Sequence, residues 1–226
     1  MARGIGQSGG SEVIIDKITP ERWTEAQKYE YETWKPHVEV NPKKQWKNID
    51  PYWEKYYGDF LNKDWSGKTV LEIGTGLSGV MWMMNAHIRI GIEPLADKLK
   101  SLNPELWANY VMISHGAESI PEVADASVDA VVTFNVLDHC QDVPAIMEEI
   151  NRVLKLGGWL AIGCDLKSKE EQLDVGHPIA ISYEWFEKWF LDHNYEIDIL
   201  KKVMSRSVDG NEDKLDGCLI YIGKKQ

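Results

Sequence analysis

At 226 residues the chain can bury a full core, and one α/β domain with an appendage is the expected size class. Its 36 Asp and Glu against 25 Lys and Arg give a formal net charge of −11, which repels phosphate backbones and argues against a nucleic-acid substrate. The three cysteines, Cys140, Cys164 and Cys218, lie far apart with no C-x-x-C or Cys/His ligand spacing, so buried thiols in a reducing compartment are expected, and no metal site. No apolar run is long enough to span a bilayer, and Met1 to Gly10 lack the apolar stretch of a signal peptide. A cytoplasmic location without a membrane partner is the expectation.

Residues 1–11 read as a flexible tail. Residues 12–66 read as an aromatic-rich helical extension, carrying Trp23, Tyr29, Tyr31, Trp34, Trp46, Tyr52, Trp53, Tyr56 and Tyr57. Thr19-Pro20 is a helix start, with Thr19 as N-cap and Pro20 in the first turn. The spacing predicts a helix from Pro20 to Trp34, stopped by Pro36. Asp50-Pro51 caps a second helix with Trp53, Tyr56, Tyr57, Phe60 and Leu61 on one side. Neither helix buries its aromatics alone, so both are expected to pack on the main domain or over its ligand crevice.

From Gly67 the pattern becomes strand, turn, helix, repeated to the end of the chain at 226. Strands are predicted at Thr69–Ile73, Ile88–Ile92, Tyr110–Ile113, Val128–Phe134 and Trp159–Cys164. The predicted helices are Gly79–Ala86 (apolar), Leu95–Leu102 (charged), Pro144–Leu154 (amphipathic, capped by Gly157-Gly158) and Ser182–His193. Tyr195–Val203 and Cys218–Ile222 are the last two strands. Their connection, Ser205 to Asp216, is polar with no helical periodicity, so these strands form an antiparallel hairpin rather than another crossover.

Ligands of open parallel sheets sit outside the carboxyl ends of the strands, beside the point where strand order reverses. After the first strand, Gly74, Thr75, Gly76 and Gly79 fit the G-x-G-x-x-G spacing that lets backbone approach an adenosine-bearing ligand. Glu72, two residues earlier, would repel a pyrophosphate but suits a cation. S-adenosylmethionine has a sulfonium and an ammonium and no phosphate. After the second strand, Glu93-Pro94 lies about twenty residues beyond the glycines, where a carboxylate can take both ribose hydroxyls; a solvated turn is the plain reading. After the third, His115-Gly116-Ala117-Glu118 resembles an adenine-binding turn, with Glu118 as surface charge the alternative. After the fourth comes Asn135-Val136-Leu137-Asp138-His139-Cys140.

Leu71-Glu-Ile-Gly-Thr-Gly76, Gly91-Ile-Glu-Pro94, Ser127 to His139 and Glu149 to Gly158 together resemble class I S-adenosylmethionine-dependent methyltransferases. The closest flavour is the small-molecule group that includes the ubiquinone and menaquinone C-methyltransferases. The resemblance covers roughly Lys68 to Gly163. It implies a Rossmann-like α/β fold with a seven-stranded, mostly parallel sheet ending in an antiparallel hairpin, so that 67–226 is the methyltransferase domain. It also implies that Asn135 lies along the cofactor, and that the Asp138-His139 pair sits near the reacting centre. Lys155-Leu-Gly-Gly departs from the more frequent Lys-Pro-Gly-Gly at the helix exit. The aromatic extension lies outside the resemblance.

Methyl transfer needs alignment, water exclusion and sometimes a base. His139 and His177 are the candidate bases, since a neutral imidazole accepts a proton near pH 7. Their bland readings are an inert hydrogen-bonded histidine and a surface loop residue. Tyr183 and the N-terminal tyrosines are candidates for cation–π contact with the sulfonium. The Asn/Asp-Pro-Pro-aromatic motif of amide and adenine-N6 methylation is absent after the fourth strand. A small-molecule acceptor with an O, N, C or S nucleophile remains. A catalytically silent S-adenosylmethionine-binding partner and an NAD-dependent oxidoreductase are the rival classes.

Overall fold

The structure is a computed structural model describing residues 14–47, 49–203 and 216–226. The expected flexible tail and most of the final hairpin connection lie outside the described residues. The elements run α1 (Pro20–Val40), α2 (Pro51–Leu61), β1 (Thr69–Ile73), β2 (Ile88–Ile92), α3 (Ala96–Leu102), β3 (Val111–Ile113), β4 (Val128–Phe134), α4 (Val143–Val153), β5 (Leu154–Leu166), α5 (Tyr183–Asp192), β6 (Tyr195–Val203) and β7 (Gly217–Lys225). They form one seven-stranded sheet in the order β3-β2-β1-β4-β5-β7-β6. β1 to β5 are parallel, and β7 inserts antiparallel to both β5 and β6. The predicted closing hairpin is therefore present, with β6 on the edge. Among the described residues no helix is long and apolar enough to cross a membrane.

The two sheet faces bury different partners. α4 and α5 cover one, with Ile146, Ile150, Phe186 and Phe190 packed on Leu71, Val131 and Ile162. α2 covers the other, setting Trp53, Tyr57, Phe60 and Leu61 against Val70, Ala130, Val132 and Ala161. Asp50 caps α2 by accepting the Tyr52 N–H at 2.8 Å. A third cluster joins Val38 of α1 to Leu95, to Ala96 and Leu99 of α3 and to Leu106 and Trp107. Cys140, Cys164 and Cys218 are buried, and among the described residues no disulfide forms.

Three local expectations are corrected. First, α1 does not stop before Pro36 but runs through it to Val40. The ring removes one backbone donor, yet the following turn is held by tertiary contacts. Val38 is fully buried against α3, and His37 meets the rings of Trp34 and Trp46. Second, Gly79–Ala86 is not a helix. It contains one 3-10 turn, Met81–Met83. Side chains take its backbone groups: Glu72 accepts the N–H of Val80 and Met81, while Arg89 donates to the carbonyls of Met81 and Met84. Third, Gly157-Gly158 does not cap α4, which ends at Val153; the glycine pair lies inside β5, with Gly157 at φ 71° beside a register shift in the β4–β5 ladder. The Lys225 ammonium instead reaches the carbonyls of Asn151 and Leu154 at 2.5 and 3.2 Å. A cation at a helix C-terminus satisfies the exposed carbonyls as a glycine cap would.

Candidate functional site

β1 and β4 are adjacent, although β2 and β5 continue the sheet in opposite directions from them. A cavity of about 330 Å³ opens at their carboxyl ends, the size range of small-ligand sites. Its floor is the loop after β1. Gly74 has φ 71°, and a Cβ there would meet the Val136 side chain at 2.3 Å. Gly79 has φ 56°, and a Cβ there would meet Glu72 Oε2 at 2.6 Å. Both positions therefore require glycine, for backbone conformation and for space.

The structure brings Glu72, Gly74, Thr75, Gly76, Glu93, Pro94, Ala117, Glu118, Asn135 and His139 onto this one cavity. Glu72 is 3% exposed, and its carboxylate is turned into the following loop, accepting from Val80 at 2.8 Å and Met81 at 3.3 Å. Burial pushes its carboxyl up to about 8, against the pull of those two N–H groups. Glu93 accepts from Gly76 at 3.0 Å and Leu95 at 3.1 Å, and burial raises it as well. Glu118 accepts the Gln141 N–H at 3.0 Å. Asn135 holds φ 59° while its N–H bonds to Gly163, a conformation that Asn tolerates better than most residues. Thr75 Oγ1 and Gln27 Oε1, both of lining residues, are buried without a hydrogen-bond partner.

The other end of the cavity is built by the N-terminal extension. Trp23, Gln27, Glu30 and Trp34 of α1, with Ile49, Asp50 and Trp53, face Phe134 and His139. The expected tyrosine contacts are corrected. The aromatic wall is Trp23, Trp34, Trp53 and Phe134, and neither Tyr183 nor the extension's tyrosines line it. α1 is seated by Arg22, which donates to the carbonyls of Val175, at 2.8 Å, and Asp174 in the loop before α5. Residues 15–18 add backbone bonds to Ala180, Gln141 and Val143.

His139 and His177, distant in sequence, come together with ring centroids 4.3 Å apart. His139 Nδ1 lies 3.4 Å from Glu30 Oε1, and its Nε2 lies 3.7 Å from Asp138 Oδ1. Asp138 is buried, its Oδ2 accepting from Lys167 Nζ at 2.6 Å. Burial opposes ionisation of all three neighbours, but charge pairing prevails. Asp138 and Glu30 raise His139 to about 9, and Lys167 and the histidines hold Asp138 well below the usual carboxylate range. These surroundings favour the protonated form of His139 at pH 7, against the neutral imidazole expected of a base. Glu30, Lys167 and Asp174 were not foreseen as site residues. No local motif marks them, since each meets its partner only through packing of separate elements.

The family model described as a methyltransferase domain matches residues 71–162. This segment is similar to methyltransferase domains. The strand order and closing hairpin of the whole chain are those of the Rossmann-like class I methyltransferase fold. The ubiquinone biosynthesis O-methyltransferases of Paraburkholderia phytofirmans and Paraburkholderia xenovorans are 31% and 30% identical over 136 residues. Each alignment covers 56% of this chain, which spans 55% of the length of those relatives. Among solved structures, the 4+2 cyclase SpnF aligns over 95% of this chain and 99% of its own, with TM-score 0.66 and 18% identity. Geranyl diphosphate C-methyltransferase from Streptomyces coelicolor A3(2), solved with geranyl diphosphate and S-adenosyl-L-homocysteine, aligns over 77% and 78%, with TM-score 0.61 and 14% identity. Both share the fold of the methyltransferase domain. The match to 71–162 excludes α1 and α2, the elements that build the second end of the cavity.

Proposed function

We propose that this chain binds S-adenosylmethionine in the cavity and transfers its methyl group to an O, N, C or S nucleophile of a small molecule. One observation carries the reading. Among the described residues, five acidic side chains, Glu30, Asp50, Glu72, Glu93 and Glu118, line the cavity with neither Lys nor Arg; burial keeps the Glu72 carboxyl protonated at pH 7, so it adds no charge. Such a wall favours a cationic ligand and opposes a diphosphate, which argues against NAD. The residues fit the cofactor. In this reading Glu93 takes the ribose hydroxyls, Ala117 and Glu118 meet the adenine edge, and Gly74 to Gly76 pass along the amino-acid tail. The unpartnered Thr75 Oγ1 awaits a polar ligand atom beside them.

S-adenosylmethionine, when bound, supplies a methyl carbon already activated by its sulfonium. The protein's part is to orient and to exclude water. Trp23, Trp34, Trp53 and Phe134 give the acceptor an apolar, ring-compatible wall. The O-methyltransferase names of the relatives favour oxygen as the nucleophile.

Thermal shift with S-adenosylmethionine, S-adenosylhomocysteine and NAD tests the donor. Stabilisation by the first two and none by NAD is expected; stabilisation by NAD alone overturns the reading. A methyl-transfer screen against neutral and cationic metabolites then tests turnover. A second reading, a donor-binding chain that transfers no methyl group, draws on the likeness to SpnF, which is named as a cyclase. It predicts donor binding without turnover across the panel.

A further inference from the structure

We propose that Asp138, His139 and His177 form a binding site for one divalent first-row transition ion, zinc by preference, at the acceptor end of the cavity. The three side chains come from the turn after β4 and the loop before α5. One potential ligand atom from each lies within 4.8 Å of the other two. Zinc-bound nitrogen and oxygen atoms at about 2.0–2.2 Å from the ion stand roughly 3.3 Å from one another. The cluster therefore needs to contract by about 1–1.5 Å to close on an ion, within the reach of side-chain torsions.

The arrangement around the three is what distinguishes a site from a chance cluster. Each has an outer partner on one side. Asp138 Oδ2 is held by Lys167 at 2.6 Å, His177 Nδ1 by Asp174 Oδ1 at 2.8 Å, and His139 Nδ1 faces Glu30 Oε1 at 3.4 Å. Carboxylates on the far nitrogen of an imidazole are the usual supports of metal-bound histidines. What remains for an ion is Asp138 Oδ1 and the two Nε2 atoms. Asp138 is 1% exposed, and its Oδ1 has no hydrogen-bond partner. A buried carboxylate oxygen that accepts no hydrogen bond, with only His139 Nε2 at 3.7 Å, is costly, and an ion removes that cost. With both imidazoles neutral, Glu30, Asp138 and Asp174 against Lys167 leave two negative charges, which a divalent ion balances.

Two imidazoles and one carboxylate suit zinc and its transition-metal neighbours better than magnesium or calcium. The ion takes the place of the proton on His139, as ligation requires. Because His139 lines the cavity, an open ligand position would face the acceptor. An acceptor hydroxyl bound there would lose its proton to water and keep the electron pair on oxygen, since a bound cation lowers the hydroxyl's pKa. This role rests on the methyl-transfer reading; ion binding itself does not.

The test is titration of the EDTA-treated full-length chain with Co2+, read by its visible d–d absorption, with Zn2+ as competitor and S-adenosylmethionine affinity measured on the same samples. One Co2+ per chain, displaced by one Zn2+, is expected. His177→Ala, at a partly exposed position, should weaken binding at least tenfold, and Asp174→Asn about tenfold. His115→Ala, which removes a histidine outside the cluster, should bind as the parent does. Absent d–d bands, or equal affinity in His177→Ala, overturns the site. A chain that binds S-adenosylmethionine but no Co2+ overturns the ion alone and leaves the donor reading standing. Co2+ binding lost in His177→Ala, without S-adenosylmethionine binding, supports the site while overturning the donor reading.

Discussion

The proposed donor end of the cavity and its proposed acceptor end are built by different means. The donor end is local. Glu72 reaches eight residues ahead to Val80, and Glu93 reaches 17 back to Gly76. Its shape comes from backbone, with positive φ at Gly74, Gly76 and Gly79. The acceptor end is assembled from afar. Lys167 meets Asp138 across 29 residues, and Arg22 meets Val175 across 153. A donor can be held by a short loop, whereas an acceptor site can be rebuilt from appended helices without disturbing that loop.

If the two ends are separable, damage to one should spare the other. The largest effect is expected from Lys167→Met, which strands the Asp138 carboxylate in the interior. Breaking such a pair costs about 3–5 kcal/mol, or roughly 10 °C in melting temperature at this chain length. Below the melting range, calorimetry should find S-adenosylmethionine affinity within threefold of the parent. A parallel loss of affinity would show that the ends act as one unit.

Glu93→Ala should do the reverse. Affinity for S-adenosylmethionine and S-adenosylhomocysteine should fall by about 10–100-fold, the effect of losing charge-assisted hydrogen bonds. The Gly76 and Leu95 N–H groups left without their acceptor should cost the ligand-free chain about 1–3 kcal/mol, less than Lys167→Met. Unchanged affinity would remove Glu93 from the ribose role.

Next comes a pH effect at the donor end. Folded Glu72 keeps its proton up to about pH 8, while the unfolded carboxyl releases it near 4.5. The folded state thus binds the extra proton, so this contribution is full below pH 4.5 and is lost as pH rises toward 8. Roughly 2.5 kcal/mol should disappear between pH 5 and pH 7. Denaturant unfolding of Glu72→Gln should show a flatter profile over that range. An identical slope would place Glu72's ionisation elsewhere.

The smallest effect concerns α1, which carries Trp23, Glu30 and Trp34 to the acceptor end. Pro36→Ala restores a helical donor and should stabilise by up to about 1 kcal/mol, seen as a slightly raised melting temperature. Destabilisation would mean that the proline shapes the helix for docking.

The strands were legible because buried parallel strands are short Val- and Ile-rich runs bounded by glycine and polar turns. β1, β2 and β4 fall at their expected limits. That the proposed donor residues share one cavity was legible for a related reason: strand ends converge wherever a parallel sheet reverses its order. Elements whose backbone bonds go to distant side chains were not legible. Arg89 and Glu72 replace the expected Gly79–Ala86 helix with a 3-10 turn, and Lys225 caps α4 in place of Gly157-Gly158. His139 and His177 were named separately, but nothing in their spacing revealed Glu30, Lys167 or Asp174, nor the charge that His139 carries.

By itself the amino-acid sequence determined the sheet, its closing hairpin and the glycine loop under the donor end. Those features depend on periodicity and on the conformational freedom of single residues, which neighbours in the chain decide. Only the tertiary structure decided the protonation of His139 and the meeting of Asp138, His139 and His177. Both depend on burial and on charges brought within a few ångströms by packing, and electrostatic energy follows distance in space, not separation along the chain.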